Sequence, residues 1–221
     1  MVNTEEHIKE IQVRNRIIEG AREAFFEYGF SRVTMDEIAE KLGMSKKTLY
    51  KHFSSKDVLL KEVMTSQCYG MECKMKPILE NMETDFIEKM MTMGPIVAEN
   101  IAMIPFLFLK DLERNAPEIW KEYLEWRREH ITLNFGKFLN EGIKKHVFRD
   151  DLNIDALVTM YLTLIEGMFR TEVLSKLPLT PGQVYVMIAR TLTEGIIADE
   201  ARNGYVLRTR TTQTKDFFLN I

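Results

Sequence analysis

The chain has 221 residues, 45% of them hydrophobic and 29% charged, a balance that excludes a disordered protein and suits one sizeable core or two smaller ones. The formal net charge is −3, so bulk charge does not draw the protein to a polyanion, and any such affinity must be local. Residues 1–15 hold no apolar run for a secretory signal or an anchor, and the apolar stretch from Gly94 to Leu109 is broken by Glu99, Asn100 and Pro105, so a cytoplasmic protein that does not engage the membrane is expected.

In chain order, Ile17, Ile18, Ala21, Ala24, Phe25 and Tyr28 repeat at helical spacing up to Gly29, which predicts a bracing helix with one apolar stripe. Thr34 and Glu37 then stand as a capping box, and Asp36 and Glu37 place negative charge in the first turn, where it complements the helix dipole. Ile38, Ala39 and Leu42 form the buried face of this short helix, and Gly43 sits where a left-handed residue ends it. Met44 occupies the turn and Ser45 caps the next helix, whose inward stripe is Leu49 and Phe53. Lys46, Lys47, Thr48, Tyr50, Lys51 and His52 are left facing outward. This is a helix-turn-helix with a recognition helix in composition and spacing.

Charge concentrates on the same element. Lys41, Lys46, Lys47, Lys51 and Lys56 fall between positions 41 and 56 with no acidic residue among them. Lys46, Lys47 and Lys56 lie in first helical turns, where a cation opposes the macrodipole at roughly 0.3–1 kcal/mol each when exposed. A phosphate at such a helix end reverses that sign, because backbone N–H groups and lysine then act together. The alternative is a solvated charged face without a ligand.

The stretch from about Arg14 to Leu60 resembles the N-terminal domain of TetR-type transcriptional regulators. The resemblance is carried by Ile17, Ala21, Ala24, Phe25, Gly29 and Phe30, by the run from Thr34 to Ala39, by Gly43 through Phe53, and by Ser55 through Leu59. It implies an all-α protein: a three-helix helix-turn-helix head over residues 1–60 and a larger C-terminal helical domain over 61–221. The implied function is a dimeric regulator that binds a double-stranded DNA operator, a repressor released by a small-molecule effector. It implies that Thr34, Tyr50 and Lys56 touch the DNA backbone and that the start of the recognition helix reads bases. Together with the outward residues, the expected DNA contacts are Thr34, Ser45, Lys46, Lys47, Thr48, Tyr50, Lys51, His52 and Lys56.

Beyond the motif, Val58, Leu59, Val63 and Met64 begin a connecting helix. Cys68 and Cys73 follow, at a spacing that fits neither a zinc site nor a disulfide framework. Pro77 and Gly94-Pro95 predict two breaks, and Pro105 a kink. Pro117 opens a long helix running to about Lys145, with Trp120, Leu124, Ile131, Phe135, Phe138 and Leu139 inward. Residues from Ile154 to Phe169 are too apolar for one narrow stripe, so that helix must be covered on more than one side. Thr180 and Gln183 form a second capping box with Pro181 at the first helical position, and Val184, Met187, Ile188, Thr191, Leu192, Gly195 and Ile196 continue it. These two helices, about 153–174 and 181–198, are the expected homodimer interface; intramolecular core is the alternative. Residues 200–221 lose the helical pattern, leaving a strand, a packed segment or a tail open.

An effector site is expected among aromatic and sulfur-bearing residues: Met103, Phe106, Trp120, Tyr123, Trp126, Tyr161 and Phe169, with Glu166 as a polar anchor. Fourteen methionines suit an adaptable interior, and the surroundings favour an apolar small molecule. The four histidines, His7, His52, His130 and His146, are scattered, and no nucleophile or phosphate-loop motif accompanies them, so neither an enzyme nor a cofactor or metal is expected. The alternatives are a DNA-binding or architectural protein that works without a ligand, and an all-helical lipid-binding protein or enzyme.

Overall fold

The computed structural model describes residues 4–81 and 83–211, and within them the side chains from 6 to 208. The described residues are all-helical, with one isolated antiparallel bridge between Phe148 and Ile197. They group into two compact units, 4–70 with 104–123, and 71–81 and 83–103 with 124–211. Residue 60 lies within a helix rather than at a break. No single helix among the described residues is long and apolar enough to cross a membrane.

The first unit holds α1 (Thr4–Tyr28), α2 (Met35–Lys41), α3 (Lys46–His52), the start of α4 (Lys56–Glu80), α6 (Phe106–Asn115) and the start of α7 (Pro117–Lys144). Its core is the stripe read from the sequence: Ile17, Ala21 and Phe25 of α1 meet Leu49 and Phe53 of the α3 region and Leu59, Leu60 and Val63 of α4, all buried. Phe108 and Leu112 of α6 join the same core, and Phe26 packs on Phe108 with ring centroids 4.8 Å apart. Truncating one such side chain to alanine typically costs about 2–5 kcal/mol, because the cavity refills only partly. Gly20 lets α1 and α2 approach: a Cβ there would stand 2.6 Å from Leu42 Cδ2.

The second unit holds the rest of α4 and α7 with α5 (Phe86–Met103), α8 (Ile154–Met168), α9 (Thr171–Leu174), α10 (Pro181–Ile196) and α11 (Asp199–Thr211). Phe86, Phe138 and Phe148 form an aromatic cluster at its centre, with centroids 4.9–5.6 Å apart. On α10, Gly182 packs against the Ala98 carbonyl of α5, where a Cβ would come within 3.2 Å. The Thr180–Gln183 capping box is present in both directions. Lys89 is buried and donates to Glu141 Oε1 at 2.8 Å and to the Leu79 carbonyl at 3.4 Å, which ties α4, α5 and α7 through one ammonium. Breaking such a pair from one side strands a buried charge.

Several sequence expectations are corrected. Pro77 and Pro95 lie inside α4 and α5 and do not break them. A proline forfeits one helical hydrogen bond, and in α5 the burial of Phe86, Ile87 and Ala98 offsets that loss. Pro105 separates α5 from α6 rather than bending one helix. The helix expected over 153–174 ends at Met168, and Arg170 is extended before α9 begins. Tyr28 is 57% exposed and leaves the apolar stripe of α1. Residues 199–211 are helical, although the pattern predicts no helix there: α11 buries Tyr205 and pairs Arg208 with Asp85, contacts that no local period reveals. Residues 212–221 of the same C-terminal stretch lie outside the described residues.

Candidate nucleic-acid interface

The local chemistry that places α3 begins at Thr34. Its hydroxyl accepts from the Glu37 amide at 3.2 Å, and its own amide donates to Glu37 Oε2 at 2.8 Å, which closes the capping box and starts α2. The Thr34 backbone N–H first, and then the Thr34 hydroxyl, which donates to the same Oε2 at 2.8 Å, hold the Glu37 carboxyl below its ordinary range. Gly43 then takes a φ of +62°, a left-handed conformation open to glycine at little cost. The turn is closed by Gly43 N–H to the Glu40 carbonyl and Met44 N–H to the Ala39 carbonyl, each 3.0 Å. Arg16 of α1 donates to the Leu42 carbonyl at 2.6 Å, satisfying one of the orphan acceptors at the end of α2. Ser45 caps α3 by accepting from the Thr48 amide at 3.1 Å.

Once α3 is anchored by Leu49 and Phe53, its remaining positions sort by exposure. Ser45, Lys46, Lys47, Tyr50 and Lys51 are exposed, while Thr48 and His52 are half-buried. Positions 46, 50 and 47, 51 are one turn apart, so four of these side chains form one continuous face. The Thr48 hydroxyl is 2.8 Å from Ser45 Oγ, and the His52 carbonyl accepts from Arg14 at 3.3 Å. Sequence reasoning located this outward face, on which Thr48 and His52 are partly covered.

The five lysines differ in what they touch. Lys41 pairs with Glu23 at 3.1 Å, Lys51 with Glu10 at 3.8 Å, and Lys46 with Asp36 at 2.5 Å. The Asp36 carboxylate raises the Lys46 ammonium above its ordinary pKa. Lys47 makes no ion pair among the described residues. Lys56 is the most engaged of the five: its ammonium donates to the Phe30 and Val33 carbonyls, both at 3.0 Å, and lies 4.3 Å from the Phe30 ring centroid. A half-buried ammonium that serves two carbonyls and an aromatic face holds the loop before Thr34.

The expected effector residues divide between the two units. Phe106, Trp120 and Tyr123 belong to the first, where Trp120 and Tyr123 stack at 5.6 Å. Met103, Trp126, Tyr161, Glu166 and Phe169 belong to the second. There Trp126 stacks on His130 at 4.0 Å, Tyr161 packs on Phe135 at 4.4 Å, and Met103 is exposed. Burial pushes the Tyr161 phenol up to about 12, against the opposing effect of its hydrogen bond with Tyr185. Glu166 is committed to Arg128, whose guanidinium donates to it at 2.8 Å. The second unit also carries an open groove of about 450 Å³ between α7 and α8, lined by Arg128, Thr132, Asn140, Asp155, Val158 and Leu162 among others. None of the expected effector residues lines it. Its polar members are spread over two helices that only packing brings together, which left no signal in the sequence. Among the described residues no group of three His, Cys, Asp or Glu is placed to hold a metal ion.

The profile of the tetR family of bacterial regulatory proteins matches residues 17–63, which spans the capped turn and α3. An uncharacterized HTH-type transcriptional regulator of Bacillus subtilis (strain 168), YvaF, is 30% identical over 172 residues, covering 78% of this chain and 89% of that protein. The solved structure of the ketosteroid transcriptional regulator KstR2 of Mycobacterium tuberculosis is 21% identical, with a TM-score of 0.55, and the match covers 84% of this chain and 95% of that one. The fatty acid degradation regulator FadR from Bacillus halodurans is 18% identical, with a TM-score of 0.60, over 82% of this chain and 95% of that one. At these identities the two structures speak to the fold.

Proposed function

Since the chain belongs to the TetR family of bacterial regulatory proteins and is a helix-turn-helix transcriptional regulator, we propose that it is a dimeric repressor released from its operator by an apolar small molecule. The observation that carries the DNA-binding half is the single exposed face of α3, formed by Lys46, Lys47, Tyr50 and Lys51 on a helix capped at Ser45. Two such faces about one DNA turn apart enter successive major grooves. Lys46 and Lys47, at the start of the helix, approach base edges, and Tyr50, Lys51 and the Thr34–Ser45 helix ends lie toward phosphates. In the protein alone Lys46 shares its charge with Asp36, so DNA competes with an exposed pair that solvent screens.

Dimerisation through α8 and α10 is supported by what those helices leave uncovered. Met160 and Leu164, one turn apart on α8, and Met187 on α10 are exposed in the single chain, and Gly167, Thr191 and Gly195 continue the open faces. Small and apolar residues of this kind suit close packing of two copies. For the effector, the reading draws on the regulators of ketosteroid and fatty acid metabolism among the structures with this fold, and on the aromatic residues of the second unit. A ligand favours release only if it binds the non-DNA-binding state more tightly. A second reading, a regulator without an effector, draws on the openness of the α7–α8 groove.

The deciding experiment is fluorescence anisotropy with DNA flanking the protein's own coding region, across a salt series, with a long-chain acyl compound and a steroid added in turn. Tight, sequence-selective binding that either compound weakens supports the full reading. Selective binding that neither compound changes favours the effector-free regulator, and binding indifferent to sequence sinks the operator reading for that DNA.

A further inference from the structure

The loop between α1 and α2, residues 29–33, is gripped by two side chains from distant positions in the chain. From α6, Asp111 accepts the Ser31 backbone N–H on Oδ2 at 2.7 Å. Asn115 donates to its Oδ1 at 2.6 Å, so both carboxylate oxygens are engaged. From α4, Lys56 donates to the Phe30 and Val33 carbonyls. Gly29 presses on the same carboxylate: its φ is +89°, and a Cβ there would stand 3.0 Å from Asp111 Oδ2. Burial works to raise the Asp111 carboxyl, but the Ser31 and Asn115 bonds prevail and hold it below its ordinary range. Thr34, the cap of α2, follows this loop directly.

We propose that Asp111 is a positioning residue for DNA binding: from α6 it fixes the loop that sets where α2 begins and, through the capped turn, how α3 is presented. The proposal rests on the DNA-regulator reading above and supplies it with a joint. Chain connectivity makes α6 the element that follows α5 across Ile104 and Pro105, and beside the apolar packing of Phe108 and Leu112 one charge-assisted hydrogen bond ties α6 to the loop itself. Such bonds are roughly twice as strong as neutral ones and directional, which suits them to transmit a small shift. Asp111 stands apart from the α3 face, so its removal leaves the count of phosphate contacts unchanged.

The test uses the full-length protein. Duplexes are enriched from a random library by the wild type, and the tightest is titrated with wild type, D111A and D111N over a salt series. Amide hydrogen exchange of the same three proteins is followed without DNA. D111A is expected to weaken binding about five-fold, as for a half-exposed charge-assisted bond, with the salt slope unchanged. Exchange at Ser31 should rise while α1, α2 and α3 stay protected. D111N keeps an acceptor oxygen for the Ser31 amide and is expected to recover part of both effects. Unchanged exchange across 29–33 in D111A, or faster exchange there with wild-type affinity, overturns the proposal. Loss of protection throughout α1–α3 also overturns it, since Asp111 would then act on stability at large. A wild type that enriches no sequence overturns the DNA-regulator reading itself, and the proposal with it, whatever the variants do.

Discussion

Among single residues, the lysines between positions 41 and 56 separate by the surroundings of their ammonium groups. Lys47 is exposed and makes no ion pair among the described residues, so on the proposed reading its ammonium is free to approach a base edge. Lys47→Ala is expected to weaken operator binding and to relax the preference at the base edge that Lys47 approaches, as measured by anisotropy with operator variants. Lys56 is the opposite case. Its ammonium holds two loop carbonyls and the Phe30 ring, so Lys56→Ala should destabilise the first unit by about 1–2 kcal/mol and weaken binding without changing the salt slope. Urea unfolding and the same titration over a salt series separate the two variants; a reduced slope with unchanged stability in Lys56→Ala would assign a phosphate contact to this residue. Both lysines looked alike as sequence, because a side chain's partner 23 or 26 positions away leaves no local trace.

For the helices, caps and open faces carry the argument. The carboxyls of Glu37 and Asp111 are both held below their ordinary range, by the Thr34 bonds in one case and by the Ser31 and Asn115 bonds prevailing over burial in the other. A depressed folded-state pKa means that the stabilisation is complete above the unfolded value of about 4 and is lost as pH falls through the folded value. Exchange protection of α2 and of loop 29–33 is therefore expected to hold from neutral pH down to about 5 and to decline at more acidic pH; protection that declined between pH 7 and 5 would point to other groups. On α8 and α10, the exposed Met160, Leu164 and Met187 are the proposed seam between copies. Leu164→Asp sets a charge into that seam on each copy, and sedimentation velocity should show monomers in place of dimers, with operator affinity reduced by at least about ten-fold. A variant that stays dimeric would move the interface elsewhere. The capping boxes at Thr34 and Thr180 were legible because a cap is a contact three residues long. Helix α11 was not, because its support comes from Asp85 and from burial of Tyr205.

Across the whole molecule, a net charge of −3 coexists with a lysine-rich face because residues 41–56 gather five cations with no acidic residue among them. The structure refines that contrast, since Glu10, Glu23 and Asp36 approach three of those lysines from α1 and α2, which limits indiscriminate attraction to polyanions. The chain groups into two units whose segments are interleaved, with residues 104–123 assigned to the same unit as α1–α3. A division by position along the chain does not anticipate that arrangement. By itself the sequence determined the all-helical class, the capped turn, the buried stripe of α1–α3, the outward face of α3 and the family, because each rests on contacts within about four residues or on an ordered set of side chains in one short segment. Only the tertiary structure decided that Lys56 and Asp111 grip loop 29–33, that α6 packs with the first unit, that Lys89 is buried against Glu141, and that a groove opens between α7 and α8. Those features join residues tens of positions apart, and their energies depend on distance and burial, which a residue's identity and local spacing do not encode.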